Sequence, residues 1–265
     1  MPVDHYENFP VASWLVPGPL REPIEAIYGF ARGADDVADE GTASDAERLA
    51  GLARYSAVLD SIERGEDPPR FERLARAIRE YQLPVQLFRD LLDAFSQDVT
   101  TRRYADYAAV LDYCRRSANP IGRLLLHLFR MTDPRSLEES DAICSSLQLI
   151  NFWQDVAIDW QKGRVYIPAE DLDRFRVTED DIAHARADER WSQLMAYECA
   201  RSRALIESGA PLGRRLPGRV GLEIRATVQG GLRILDRIDA AKGDVFRKRP
   251  VLKGWDWAII GVRSI

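Results

Sequence analysis

The sequence predicts an all-α protein. Three observations carry that prediction: apolar residues recur at helical spacing in nearly every segment, no β-branched alternation runs beyond about four positions, and proline or glycine separates most periodic stretches. A first helix opens after Pro23 and runs from Ile24 to Glu40, with Ile24, Ile27, Tyr28 and Ala31 on one face and Gly41 as its stop. Ser44 is placed to cap the next, which reaches about Arg64 before the break from Gly65 to Pro69. Further helices are expected over Phe71 to Glu80, Val85 to Val99, Tyr104 to Ser117, Pro120 to Phe129, Leu137 to Gln161, Glu179 to Ala185, Arg190 to Glu207 and Leu222 to Lys242. Between Lys162 and Val177, Gly163 and Pro168 flank Val165, Tyr166 and Ile167, which reads as a loop of extended character. No repeat, low-complexity tract or long linker interrupts the pattern, so one domain over residues 1–265 is expected.

The composition fits that reading. A chain of 265 residues with 46% hydrophobic and 30% charged side chains and a formal charge of −5 is an ordinary globule, long enough for one large core. Cys114, Cys144 and Cys199 lack metal-site spacing and cannot make a full disulfide set, which suits a reducing cytoplasm. Met1 to Pro19 carries Asp4, His5 and Glu7 where a secretory leader needs a basic head, and no stretch approaches the roughly 18 apolar residues of a membrane span. Residues 201–265 hold 14 Lys/Arg against 6 Asp/Glu, leaving the rest of the chain acidic. This basic quarter reads either as a surface that steers phosphate ligands or anionic lipid, or as a solvated face balancing the acidic remainder. No nucleic-acid partner is expected. A G-x-S-x-G elbow, a P-loop and a G-x-G-x-x-G turn are all missing, which removes the usual parts of an esterase, a P-loop enzyme and a dinucleotide-binding dehydrogenase.

Two acidic clusters concentrate the chemistry. In Arg32-Gly33-Ala34-Asp35-Asp36-Val37-Ala38-Asp39-Glu40, Asp35 and Asp39 are one helical turn apart, about 6 Å along the axis, on one face. Like charges at this spacing repel, so the cluster needs solvent or cations. Asn151, Asp155 and Asp159 repeat the spacing on a stripe set among Leu147, Leu149, Ile150, Phe152, Trp153, Val156 and Ile158, so burial on most sides is expected. Buried carboxylates must be paired or coordinate metal. A core hydrogen-bond network meets that need; so does Mg²⁺, which takes hard oxygen ligands and keeps positions open for phosphate oxygens.

Arg32 with Asp35-Asp36-Val37-Ala38-Asp39, together with Asn151-x-x-x-Asp155-x-x-x-Asp159 and the following Lys162-Gly163-Arg164-Val165-Tyr166-Ile167-Pro168, resembles the squalene and phytoene synthase family of isoprenyl diphosphate enzymes. The likeness extends over the whole chain, through Asn8-Phe9 to Pro17, Tyr113-Cys114 to Gly122, Gln148, and Val245 to Arg249. It implies a single-domain isoprenoid synthase helical bundle around a central apolar pocket. An isoprenoid diphosphate would be the substrate and Mg²⁺ the cofactor, the metal held by Asp35, Asp39, Asn151, Asp155 and Asp159. The second motif departs from the usual family form in having Gln154 and Ile158 where an Arg and a Glu are common, and Gly231 stands where many members have a tyrosine. The Asn-Phe-Trp-Gln-Asp form and the opening His5 to Val11 look closest to the bacterial hydroxysqualene synthase subgroup of hopanoid pathways. That likeness implies a presqualene diphosphate synthase and a downstream reductase as pathway neighbours.

Beside the resemblance, the chemistry of a polyanionic leaving group asks for cations near the carboxylates. Arg32, Arg164 with Tyr166, and Arg249 are the expected clamp; surface pairing with nearby acids is the plainer alternative for Arg32 and Arg249. A carbocation would be shielded by aromatic faces. Phe9, Trp14 and Phe152 qualify, and Tyr28 and Phe30 are expected at the mouth. Capture by water needs a polar corner, for which Asn119 and Gln154 are the first choices, although Asn119 equally suits a cap before Pro120. Gly231 is expected to leave open space in the pocket. Two alternatives stay open: a head-to-head condensing enzyme acting on two farnesyl diphosphates, and a helical assembly factor that kept the fold. Contact with a membrane would be peripheral, on its inner face, through the basic quarter and Trp255 and Trp257.

Overall fold

The computed structural model describes residues 17–264. Among them are thirteen helices and no strand: α1 (Gly18–Asp39), α2 (Asp45–Glu63), α3 (Glu72–Tyr81), α4 (Val85–Thr100), α5 (Tyr107–Ser117), α6 (Asn119–Leu128), α7 (Pro134–Gln161), α8 (Ala169–Phe175), α9 (Glu179–Ala183), α10 (Glu189–Gly209), α11 (Leu212–Arg215), α12 (Gly218–Ala240) and α13 (Gly254–Ser264). The all-α expectation holds. Starts are set by capping chemistry. Ser44 and Glu47 form a reciprocal capping box at α2, and Asp133 accepts from the Ser136 amide with Pro134 in the first turn of α7. α1 begins six residues earlier than its periodicity indicates, because Pro19 sits in its first turn, where a missing N–H costs nothing, and Pro23 lies inside the helix.

α8, α11 and α13 escape sequence reading. The first two are only seven and four residues long, too short for a 3.6-residue period to register. α13 is apolar on most faces and is held by one buried acid: Asp256 accepts from Arg233 Nε at 2.8 Å, Arg237 Nη2 at 2.5 Å and the Lys253 amide at 2.6 Å. Several cations of the basic quarter therefore act as internal braces. Arg203 pairs with Asp236 and Asp239, and Arg215 with Asp133 and Glu139.

Two apolar cores form. One comes from α1 to α4 with Leu124 and Leu128 of α6; the other comes from α5, α7, α10 and α12 with the segments around them. The 28-residue α7 is the spine of the second, packed against α5, α6, α10 and α12. A cavity of about 530 Å³ lies where the two cores meet, walled by Ile24, Ile27 and Phe95 from the first and by Leu126, Ile143 and Leu212 from the second. The segment after α7 has the extended character its sequence suggests. The Val165 amide donates to the Arg102 carbonyl at 3.0 Å, and an isolated parallel bridge joins Arg103 to Val165.

Candidate active site

Gly163 sets the site's geometry. Its φ of +75° ends α7 with a reversal that suits a residue without Cβ, and the Arg164 amide returns to the Asp159 carbonyl at 2.8 Å. The chain then folds back so that Arg164 and Tyr166 reach α1 and α4. Lys162 Nζ and Arg164 Nη1 each lie 2.5 Å from an oxygen of Asp39, and Arg164 Nη2 donates to the Asp98 carbonyl at 3.1 Å. Burial pushes the Asp39 carboxyl up, but Lys162 and Arg164 outweigh it and hold the group below the usual carboxylate range.

One turn away, Asp35 lines the cavity, and burial raises its pKa to about 6 against the opposing Arg32. Arg32 bridges Asp35 at 3.2 Å, Asp36 at 2.9 Å and Glu40 at 3.1 Å, and it also reaches the cavity wall. On α7, Asp155 takes a two-point ion pair from Arg249, with Nη2 at 3.0 Å. Asp159 is lifted to about 7 by burial and by Asp155 beside it, and its Oδ2 is buried without a hydrogen-bond partner. Asn151 is exposed. The stripe on α7 is thus the polar edge of a buried helix; the interior holds its neighbours Ile150, Phe152, Trp153 and Val156.

The structure separates the remaining expected residues into two groups. Tyr28 and Gln148 line the cavity. Phe30 does not: two residues along a helix is a rotation of about 200°, so it cannot share the Tyr28 face. Its ring sits in the first core, edge-on to Tyr55, Phe71 and Phe88. Phe152 also leaves the cavity, stacking on Tyr166 with centroids 3.7 Å apart. Gln154 is buried and donates to the Pro250 carbonyl at 2.6 Å, tying α7 to the segment that carries Arg249. Asn119 neither caps α6 nor reaches the cavity wall; its Oδ1 accepts from Ser145 Oγ at 2.8 Å. Gly231 leaves no open space either. A Cβ there would stand 2.7 Å from Ile206 Cδ1 and 3.0 Å from Leu147 Cδ2, so the glycine admits close packing. Phe9 and Trp14 lie outside the described residues.

Sequence reading missed Asp98. This buried acid accepts from Tyr113 Oη at 2.6 Å and Tyr166 Oη at 3.3 Å, and burial raises its pKa to about 6. The signal was present: Asp98 falls on the α4 stripe of Leu91, Phe95 and Val99, where a carboxylate needs a reason. Phe95, Tyr113, Phe129, Ser117 and Thr227 also line the cavity. One end of the apolar chamber therefore carries Arg32 and Asp35, and one turn further along α1 Asp39 is paired with Lys162 and Arg164. Such a mouth and chamber suit a molecule with a polyanionic head and a long apolar body.

Among the described residues, no three acidic, thiol or imidazole groups stand close enough to hold a metal ion. The donor chemistry nonetheless fits a hard divalent cation, since both pairs offer only oxygen and Asp159 Oδ2 is buried with its lone pairs unanswered. Those pairs are held by Arg32 on α1 and by protein cations from two other segments, and that charge balance is what an added cation would rearrange.

The squalene/phytoene synthase family matches residues 3–256, and the chain belongs to it. Hydroxysqualene synthase from Rhodopseudomonas palustris is 36% identical over 82% of this chain and 74% of its own length. Presqualene diphosphate synthase of the same organism is 30% identical over 80% of this chain and 76% of its own. The crystal structure of squalene synthase HpnC from Alicyclobacillus acidocaldarius superposes with a TM-score of 0.84 at 36% identity, covering 90% of each chain. Enzymes of the family use a divalent metal to ionise their diphosphates.

Proposed function

We propose that this chain is a hydroxysqualene synthase: it ionises presqualene diphosphate and lets water capture the rearranged cation, giving hydroxysqualene and diphosphate. The observation that carries the reading is the apolar cavity of about 530 Å³ whose polar end is Arg32 and Asp35, in a chain 36% identical to a hydroxysqualene synthase. Asp35, Asp39, Asn151, Asp155 and Asp159 would hold Mg²⁺, which supplies positive charge that stabilises the departing diphosphate. Arg32, Lys162, Arg164 and Arg249 add fixed positive charge around the same head. Arg164 and Tyr166 are held by Asp98, so little reorganisation is required as the leaving group gains charge. Tyr28, Phe95, Tyr113 and Phe129 offer ring faces to the cation, and the apolar wall keeps bulk water from it.

A second reading has its own support in the 30% identity to a presqualene diphosphate synthase, namely condensation of two farnesyl diphosphates. Offering presqualene diphosphate and farnesyl diphosphate separately decides between them. Turnover of the first alone supports hydroxysqualene synthesis, and efficient turnover of the second supports condensation.

The product and substrate bodies are water-insoluble, and no helix among the described residues is long and apolar enough to cross a membrane. We propose peripheral contact with an anionic bilayer on its cytoplasmic face. In support, four of the five exposed large hydrophobics among the described residues, Val251, Trp255, Trp257 and Val262, fall on or beside α13, near the exposed Arg247, Lys248, Lys253 and Arg263. A presqualene diphosphate synthase upstream and a reductase downstream would be the pathway neighbours.

A further inference from the structure

Arg249 reaches Asp155 from the segment between α12 and α13, outside any helix, so its place depends on what holds that segment. We propose that Gln154 is the positioning residue for Arg249: through the Pro250 carbonyl it sets the guanidinium at the diphosphate end of the site. The proposal rests on the reading that Arg249 serves the diphosphate head, which hydroxylation and condensation share.

Gln154 and Asp155 are consecutive on α7, so their side chains leave the helix about 100° apart. Asp155 meets Arg249 in a two-point ion pair, with Nη2 at 3.0 Å. Gln154, only 1% exposed, turns inward, and its Nε2 donates at 2.6 Å to the carbonyl of the next residue in the segment, Pro250. Two neighbours on the helix thus hold two neighbours on the segment. Proline makes that hold rigid. The residue before a proline is confined to extended backbone and proline's own φ is fixed, so little torsional freedom separates the held carbonyl from the Arg249 Cα. A bond to one residue therefore aims the side chain of the other.

Other anchors of the segment lie further away. Upstream, Trp191 Nε1 donates to the Gly243 carbonyl at 2.7 Å and its ring packs on Phe246 with centroids 4.6 Å apart. Downstream, Asp256 accepts from Arg233 and Arg237. Arg247 and Lys248, just before Arg249, are exposed. Position along α7 gives the consequence. Asp155 is seven residues beyond the cavity-lining Gln148, on the same face and about 10 Å further along the axis. Asp159, one turn on, feels the charge of Asp39 from α1. Arg249 is therefore set beside the acids where the ends of the two helices converge, and a guanidinium already in place needs little reorganisation when a polyanion arrives.

The test is calorimetry of inorganic diphosphate binding in Mg²⁺, with turnover of presqualene diphosphate measured alongside, on wild type, Arg249→Ala, Gln154→Met and the double variant. Methionine keeps the length of Gln154 without its donor. Arg249→Ala should weaken diphosphate binding roughly tenfold, the loss of one charged hydrogen bond, and Gln154→Met about fourfold. The double variant should bind no more weakly than Arg249→Ala alone, because nothing is left to position. Pro250→Ala keeps the carbonyl and frees the Arg249 backbone; it should weaken binding about twofold, and that effect too should vanish in the Arg249→Ala background. This second pair decides the matter if Gln154→Met does not fold. Additive losses in either double variant overturn the proposal, as does wild-type binding in a folded Gln154→Met. Wild-type binding and turnover in Arg249→Ala would instead overturn the reading of Arg249 as a diphosphate residue.

Discussion

The acidic pairs on α1 and α7 share one spacing and differ in what holds them. Asp39 is held by Lys162 and Arg164, which come from the turn that ends α7, and Arg164 is itself fixed to the Asp98 carbonyl inside the core. Asp155 is held by Arg249, which comes from the segment between α12 and α13 and is tethered by the Gln154 contact to Pro250. In each pair the other acid is buried and pushed up, Asp35 to about 6 and Asp159 to about 7; Asp35 makes an ion pair with Arg32, whereas Asp159 feels Arg164 and Lys162 only at longer range. The α1 pair is therefore locked into the scaffold. The α7 pair is held by a strap and keeps one carboxylate oxygen unanswered. A cluster of like charges can be built into a fold in either way, and the second leaves more for a bound ligand to supply.

The largest expected effect falls where both pairs act alike. If they work only by placing positive charge against the leaving group, Asp35→Asn and Asp155→Asn should each lower turnover roughly a hundredfold or more, with circular dichroism unchanged. Near-normal turnover in a folded variant would break the account of both pairs. The next effect separates them. Arg164→Ala removes a buried cation from the core and should cost about 2 kcal/mol in urea denaturation, whereas Arg249→Ala should cost less than about 1 kcal/mol while still lowering turnover. Equal losses of stability would erase the contrast between scaffold and strap.

Much of this was legible in the sequence because it is local. Asp35 with Asp39, and Asn151 with Asp155 and Asp159, are single-helix spacings, and the Gly163 stop that brings Arg164 and Tyr166 back is a local signal. What failed was long-range or angular. Closeness in sequence to Asp35 puts Phe30 at the mouth beside Tyr28, but the two side chains lie on opposite sides of α1. Gln154 looked like a pocket group because its motif position is known, but its partner, Pro250, is 96 residues away. Gly231 looked like open space because a missing side chain does not reveal that Ile206 and Leu147 fill the gap. Asp98 stood on an apolar stripe with no second acid nearby in sequence to draw attention to it.

The smallest expected effect concerns the strap alone. It leads from Arg249 into α13, where Trp255 is 56% and Trp257 43% exposed, whereas the supports of the α1 pair have no such neighbour. Binding to anionic vesicles should weaken as salt rises, with each nearby Lys or Arg contributing about 1 kcal/mol at low ionic strength, and Trp255→Ser with Trp257→Ser should reduce it further. Equal binding to neutral and anionic vesicles at every salt concentration would remove the basic residues from the account.

The most direct test of the central claim is the fate of the cation. Incubation with presqualene diphosphate and Mg²⁺ in ¹⁸O-water, without a nicotinamide cofactor, should yield hydroxysqualene carrying the label in its hydroxyl, and adding NADPH should change neither product nor rate. Squalene formed in proportion to added NADPH would contradict it.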